Sequence, residues 1–364
     1  IIKGLALEQV LTLYILPSSI TGLGSNMMES SNLVVFTSED LKSLTNSFNQ
    51  KNLIGVTQFG KLYKGWIKPG LTCTQGRDVT VKIWDQKSNF SNLVSDEYFM
   101  AVKEEVQFLT QPKINGHPNL VKLIGFCCEK EVKGVVYDLN PRGTLHNLIL
   151  KDDLSWTQRV NIILQFARLL EFLHAQEKPY VVLNICGSHI MLDWDCDPKL
   201  CDFGLISGGF IGDINALKKQ IPMPIGYADP FFAAKGGYWQ TSCDVFSFGV
   251  ILLGLVSKRV LDLEKLDRPE EIPNNLVQFW AKSEYRPNCS LVDKSLREDW
   301  GYHPQDGSAI TEIGMRCIEF FPMNRPTMKD VVKCLEGLLI FQRLGDTRPN
   351  KREKKYHFDY EMAA

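Results

Sequence analysis

The chain lacks the signatures of most specialised protein classes. None of its ten cysteines forms a Cys-x-x-Cys pair, so metal-ligand spacing is missing, and a free, reduced set fits better than a disulfide framework. No apolar run approaches the ~20 residues of a bilayer span. The longest, Val245 to Val256, is broken by Ser247, Gly249 and Gly254 and reads as a buried core helix. Neither sign of charge dominates, with 41 Lys and Arg against 42 Asp and Glu. That balance argues against nucleic acid or an acidic membrane as a partner. The apolar start Ile1 to Leu16 carries Lys3 and Glu8 and has no Met-Gly opening, so a signal peptide is a weak alternative and no myristoylation signal is visible. The natural start is expected near Met27 or Met28, or the chain is a fragment.

What is present is an ordinary globular balance, 44% apolar and 23% charged over 364 residues, enough for two lobes around one extended core. Residues 1–35 show no clear period and are expected to form a poorly ordered extension. Thr37 and Asp40 have capping-box spacing, and Leu41, Leu44 and Phe48 predict a short amphipathic helix. From Leu53 to Val136 the pattern is short strands, with β-branched and aromatic runs at Leu62–Trp66 and Val79–Trp84. One helix, Ser95 to Leu109, interrupts them. After Pro141 the chain turns helical, with Val160, Ile163, Ala167, Leu170 and Leu173 on one face of a helix from Trp156 to Leu173. The expected plan is a small lobe over 36–137, a larger helical lobe over 138–342 and a mobile charged tail over 343–364. The tail's basic run, Arg348 to Lys355, is expected to be solvated.

Six motifs occur in order: Asn52-Leu53-Ile54-Gly55; Phe59-Gly60-Lys61-Leu62-Tyr63-Lys64-Gly65-Trp66-Ile67; His117-Pro118-Asn119-Leu120-Val121-Lys122-Leu123-Ile124-Gly125; Asp202-Phe203-Gly204-Leu205; Asp244-Val245-Phe246-Ser247-Phe248-Gly249-Val250; and Arg325-Pro326-Thr327-Met328. Over about residues 36–342 this order resembles the protein kinases, and within them the plant receptor-like cytoplasmic kinases of the Pelle/IRAK-like superfamily. The resemblance implies an α+β, bilobal kinase-like fold with a β-rich N-lobe and a larger α-helical C-lobe.

It also implies a nucleotide site formed by Gly55, Gly60, Leu62, Lys82, Glu105, Asp138, Asn140, Met191 and Asp202, with Mg²⁺ on Asp202. Glu104 is the alternative to Glu105 if the register slips by one. The site is already compromised in the sequence. Thr57 stands where a Gly-rich loop has its middle glycine, and a Cβ there hinders approach of phosphate to the backbone N–H groups. Thr80 replaces the alanine that would lie against adenine. ATP and Mg²⁺ are therefore expected to be held weakly or not at all, with a plain Lys82–Glu105 ion pair between elements as the bland reading.

The catalytic loop has lost its chemistry. The family's His-Arg-Asp-Leu-Lys-x-x-Asn reads Val182-Leu183-Asn184-Ile185-Cys186-Gly187-Ser188-His189. Asn184 can orient a hydroxyl but cannot take its proton. Cys186 replaces the lysine that neutralises the transferred phosphoryl group. His189 replaces the second-metal asparagine and suits Mg²⁺ poorly. Leu183 replaces the arginine that would receive an activation-loop phosphate, and the segment between Ser207 and Tyr227 has no Ser, Thr or Tyr. Phe231 replaces the glutamate that would pair with Arg325, so Arg325 is expected to find another acceptor or water, with Phe231 packed over the vacated site. Leu109, Leu123, Val182 and Phe203, anchored by Asp244, match the apolar column that joins the lobes. His189 with Cys186 and Cys196 could suggest a metal, but a satisfied loop histidine is the better reading. Tyr137 reads as packing behind the adenine pocket, and Lys87 to Phe99 as an exposed polar insertion.

The function expected from these readings is that of a pseudokinase, an adaptor for active kinases or a decoy for pathogen effectors in immune or receptor signalling. A slow Ser/Thr kinase and a nucleotide-sensing switch are the alternatives. Partners would be proteins (active kinases, immune receptors or effectors), with no nucleic acid, and membrane association only through those partners. The resemblance places the protein in the cytoplasm, with the inner face of the plasma membrane as a further location.

Overall fold

The computed structural model describes residues 33–57, 60–69, 75–84, 95–203, 224–235, 240–262 and 275–346. Val34–Val35 (β1) pairs parallel with Leu123–Cys128 (β5). This strand lies inside the stretch expected to be poorly ordered. Its backbone is satisfied at the sheet edge, and Phe36 N–H adds a bond to Phe126 O, which corrects the boundary at 35. The capping box forms at Thr37 and Asp40 and starts α1, Ser38–Thr45. The helix stops short of Phe48, because Asn46, Ser47 and Phe48 all adopt left-handed φ. Phe48 packs instead against Tyr63.

Leu53–Val56 (β2), Gly60–Ile67 (β3), Arg77–Trp84 (β4), β5 and Lys133–Tyr137 (β6) complete a sheet in the order β1-β5-β6-β4-β3-β2. Gly60 is required by that pairing, since a Cβ on it would sit 1.9 Å from Ile83 O. Helix α2, Ser95–Leu109, packs on β5 and β6.

The C-lobe begins with a small sheet of Gly143–Thr144 (β7), Ile190–Leu192 (β8) and Pro198–Leu200 (β9). Around it lie α3 (Leu145–Ile149), α4 (Trp156–His174), α5 (Pro230–Lys235), α6 (Thr241–Ser257), α7 (Val277–Glu284), α8 (Pro304–Cys317), α9 (Met328–Glu336) and α10 (Leu339–Asp346). A Ser155–Gln158 capping box fixes the start of α4. Helix α6 is buried along its length from Cys243 to Ser257, as its apolar composition predicts. Among the described residues no helix is long and apolar enough to cross a membrane. The expected mobile tail begins too early: α10 carries regular structure to Asp346, held by Asp306, whose carboxylate accepts from Leu339 and Ile340 N–H. The rest of the tail lies outside the described residues.

One buried cation escaped the sequence reading. Arg159, on the inner face of α4, donates to the carbonyls of Ile149, Lys151, Leu154 and Leu255. Its charge is thereby spread over acceptors that tie α3, α4 and α6 together. The largest of three hydrophobic clusters among the described residues runs through both lobes. It includes Ile54, Leu62 and Val106 above the cleft and Leu145, Leu148, Met191 and Phe203 below it.

Candidate functional site

Strand β4 places Lys82 between Leu62 of β3 and Val135 of β6, and α2 brings Glu105 to it. Lys82 Nζ lies 2.7 Å from Glu105 Oε2 and 2.6 Å from Asp202 Oδ1. Glu105 is the partner, and Glu104 is not part of this pair. Glu105 Oε1 accepts the Tyr137 hydroxyl and the Asp202 N–H. Asp202 sits in the left-handed region at φ 70, an uncommon backbone state for a non-glycine residue that these bonds hold in place. Tyr137, behind the cleft, is wholly buried and serves this network.

The catalytic-loop positions converge on the same point. Asn184 Nδ2 donates to Asp202 O at 3.2 Å. His189 Nδ1 donates to Asn184 O at 2.6 Å, and its Nε2 lies 3.4 Å from Asp202 Oδ2. Cys186 hydrogen-bonds His189 as well. Lys82, Glu105, Asn184, His189 and Asp202 are all essentially inaccessible to solvent. The cluster balances two cations with two carboxylates, the condition under which buried charge is tolerated.

The proton affinities follow from this packing. Burial pushes the Lys82 ammonium down, but Asp202 and Glu105 more than compensate and raise it. Burial pushes Asp202 up, yet Lys82 and then His189 bring it below the ordinary carboxylate range. Burial disfavours imidazolium at His189, while Cys186 and Asp202 raise it to about 9. His189 is thus a charged, fully engaged loop histidine. Cys196 is engaged elsewhere, its sulfur accepting from Arg142 Nη1 at 2.7 Å and Gln158 Nε2 at 3.3 Å. Among the described residues no group of His, Cys, Asp and Glu has metal-holding geometry.

The remaining nucleotide-site candidates are spread along the lobe junction. Asp138 meets Arg77 at 3.1 Å and Lys122 at 3.7 Å, and Asn140 Nδ2 donates to Asp78 at 2.9 Å. Both side chains are therefore spent on neighbours. Leu62 and Met191 are wholly buried, one in each lobe. A bound Mg-triphosphate needs a free cation, hard metal ligands and open space beside them. Lys82 and Asp202 are spent on each other and position 189 offers an imidazole, so these residues do not fit the group.

The apolar column is assembled. Leu109, Val182 and Phe203 are buried core with Leu123 packed against it, and Asp244 accepts the N–H groups of Val182 and Leu183. Arg325 has its other acceptor. It makes a two-pronged, buried pair with Asp229, Nη1 to Oδ2 at 2.5 Å and Nη2 to Oδ1 at 2.8 Å. Phe231 packs edge-on with Phe320 and Phe321. The sequence held the signal, a carboxylate two residues before the missing one. Thr144 and Asn147, which touch β2 from below, carried no such signal. The activation-segment residues Ser207 to Met223 lie outside the described residues, as do Lys87 to Val94 of the expected polar insertion, whose remaining residues Ser95 to Phe99 belong to helix α2 and not to a loop.

Comparison with known proteins agrees with this architecture. A family model described as protein tyrosine and serine/threonine kinase matches residues 48–335. An EPD1-interacting receptor-like cytoplasmic serine/threonine-protein kinase of Nicotiana benthamiana is 35% identical over 329 residues, covering 88% of this chain and 67% of that one. Serine/threonine-protein kinase BIK1 of Arabidopsis thaliana is 35% identical over 342 residues, covering 89% and 81%. Among solved structures, that of the apo GRMZM2G135359 pseudokinase aligns with a TM-score of 0.56 at 19% identity, covering 91% of this chain and 99% of that one, a likeness of fold. With the lobes, the lysine–glutamate pair and the column in place, the chain belongs to the protein tyrosine and serine/threonine kinase family, and its relatives include proteins named as plant receptor-like cytoplasmic kinases.

Proposed function

We propose that this protein is a pseudokinase, a kinase-like signalling protein that acts by binding other proteins and transfers no phosphate. The observation that carries this reading is Asn184. A carboxamide, bonded to Asp202 O, stands where the reaction needs a carboxylate to receive the hydroxyl proton. General-base catalysis contributes about 10²–10⁴-fold. Loss of the phosphoryl-neutralising lysine at Cys186 and of the second-metal ligand at His189 adds to that deficit. The partners it would engage are active kinases, immune receptors or effectors, as an adaptor or a decoy in plant immune signalling. Its place of action would be the cytoplasm, with the inner face of the plasma membrane reached through those partners.

The test is transfer of radiolabelled phosphate from ATP to a generic protein substrate, with Asp202→Ala as control. The expected result is incorporation equal to the control. Incorporation that exceeds the control and vanishes in Asp202→Ala would overturn the reading. One observation favours a second reading, that of a low-activity serine/threonine kinase: the Lys82–Glu105 pair is closed at 2.7 Å, and the named relatives are kinases. The same assay decides between them.

A further inference from the structure

We propose that the nucleotide cleft is self-occupied: Thr80 and Asn147 make bonds, and Thr57 fills space, that latch the two lobes together without a nucleotide. The inference builds on the pseudokinase reading, and its test separates the two.

At the base end, the backbone between the lobes is already satisfied. Thr80 Oγ1, at the position against which adenine would lie, donates to Leu139 O at 2.8 Å. Leu139 N–H bonds to Tyr137 O at 2.9 Å, and Asp138 N–H to Lys122 O at 2.8 Å. These bonds occupy Leu139 O, Leu139 N–H and Asp138 N–H. A purine that parted Thr80 from Leu139 would leave the Thr80 hydroxyl, wholly buried, without that acceptor, a penalty that polar groups in dry sites carry.

The roof rests on the floor. The β2 backbone at Gly55 lies so close to β7 that an added Cβ would come within 2.7 Å of Thr144 Cγ2. Asn147 Nδ2, from α3 below, donates to Ile54 O at 3.0 Å. This is a bond between lobes, made by a side chain to the strand that leads into the Gly-rich loop. Where β2 meets β7 and α3 the two lobes are in direct contact.

At the phosphate end, Lys82 is held by Glu105 and Asp202 and lies 3.8 Å over the Trp84 ring. Thr57 is buried, and among the described residues its Oγ1 and Asp202 Oδ2 have no hydrogen-bond partner. The Thr57 side chain fills space that a glycine at this position would leave open.

The test is equilibrium binding of a fluorescent ATP analogue with Mg²⁺ to the full chain, read alongside the melting temperature. Wild type is compared with Asn147→Ala, Thr80→Ala and Thr57→Gly, singly and combined. Folding of each variant is checked by circular dichroism. Wild type is expected to show no displaceable signal and no melting shift at about 5 mM ATP. A latched cleft taxes affinity by the fraction of molecules open, so the combined variant is expected to bind at least about tenfold more tightly. Wild-type binding below about 100 µM overturns the inference, since a ligand that tight needs an open site. So does a folded combined variant that binds no better than wild type. Wild type that binds ATP but transfers no phosphate sinks the latch and leaves the pseudokinase reading standing. Wild type that transfers phosphate sinks both.

Discussion

Two buried ion-pair sites in this molecule have departed from the family pattern, with opposite results. At the foot of the C-lobe the glutamate that should hold Arg325 is Phe231. Yet a carboxylate reappears two residues earlier, and Asp229 grips the guanidinium with both oxygens. At the catalytic loop the carboxylate and the lysine are also gone, and among the described residues no carboxylate two positions away takes over as Asp229 does. Asn184 bonds a backbone carbonyl, and Cys186 bonds His189. The interaction that keeps an arginine from being buried alone was rebuilt. The groups that would move a proton and steady a phosphoryl group were not. The buried charges are paired in both places; on the pseudokinase proposal, what differs is the chemistry.

The largest expected effect tests the rebuilt pair. Asp229→Ala strands a buried guanidinium, and breaking a buried pair by removing one partner costs about 3–5 kcal/mol. Urea unfolding followed by circular dichroism should show that loss as a lower midpoint with an unchanged slope. Adding Phe231→Glu to Asp229→Ala should recover part of it, since Arg325 also bonds the carbonyls of Glu319, Ser242 and Phe320 and is held near that position. A cost for Asp229→Ala below about 1 kcal/mol would place this pair with weak surface bridges and end the comparison.

The reaction centre should respond similarly for a different reason. Lys82→Met removes one cation from a balanced group of four charges and leaves Glu105 and Asp202 facing each other with His189 alone between them. The loss should approach that of Asp229→Ala, about 3 kcal/mol, because His189 still compensates one carboxylate. In a kinase this substitution is read through activity. Here the expected change in phosphotransfer is none, and stability is the readout. A Lys82→Met protein as stable as wild type would show that the cluster carries no folding role.

The difference between the sites also shows what could be read beforehand. Strand and helix positions followed from pattern: α2, α4 and the strands β3 and β4 lie where alternation and helical spacing put them, and α6 lies where its continuous apolar run put it. The Thr37 box was visible for the same local reason. Phe48 was misplaced because three successive left-handed residues, a tertiary adjustment that lets its ring reach Tyr63, leave no mark in an apolar spacing. Lys82, Glu105 and Asp202 were legible by motif. The Lys82–Glu105 pair was legible with them; that Lys82 would also meet Asp202 was not, because that contact is made across the cleft. Arg159 stayed hidden because its acceptors are backbone carbonyls, which every sequence has.

A smaller effect separates the two sites by pH. His189 is raised from 6.5 to about 9 in the folded protein. Its charged form is favoured by folding, so its stabilisation is fully present below pH 6.5 and is lost as pH rises through about 9. Asp202 is lowered from 3.8, so its contribution is present above pH 3.8 and is lost only as pH falls through its lower folded value. The reaction-centre cluster should therefore be most stable between about pH 4 and 6.5 and weaken toward pH 9. Melting curves of wild type and His189→Asn should converge over that upper range. Asp229→Ala should be destabilised by the same amount at both ends of it. A wild-type minus His189→Asn difference that stays constant from pH 6.5 to 9 would show that His189 is not charged in the folded state.

The smallest expected effect concerns Phe231, the residue that displaced the glutamate. Its ring meets Phe320 at 5.7 Å and Phe321 at 6.2 Å, both edge-on, and those two rings meet each other at 5.2 Å. Such pairs contribute about 0.5–1.5 kcal/mol beyond area burial. Phe231 is only half-buried, so Phe231→Ala should cost about 1 kcal/mol in urea unfolding. If the phenylalanine instead supported the Arg325 clamp through packing, Phe231→Ala would be coupled to Asp229→Ala. Asp229 sits just before α5, and the bond it accepts from Phe231 N–H is a backbone bond that Phe231→Ala retains, so a double-mutant cycle should give additivity within about 0.5 kcal/mol. Coupling well above that would mean that the aromatic cluster and the displaced carboxylate act as one unit, and that the clamp was rebuilt by two residues and not by Asp229 alone.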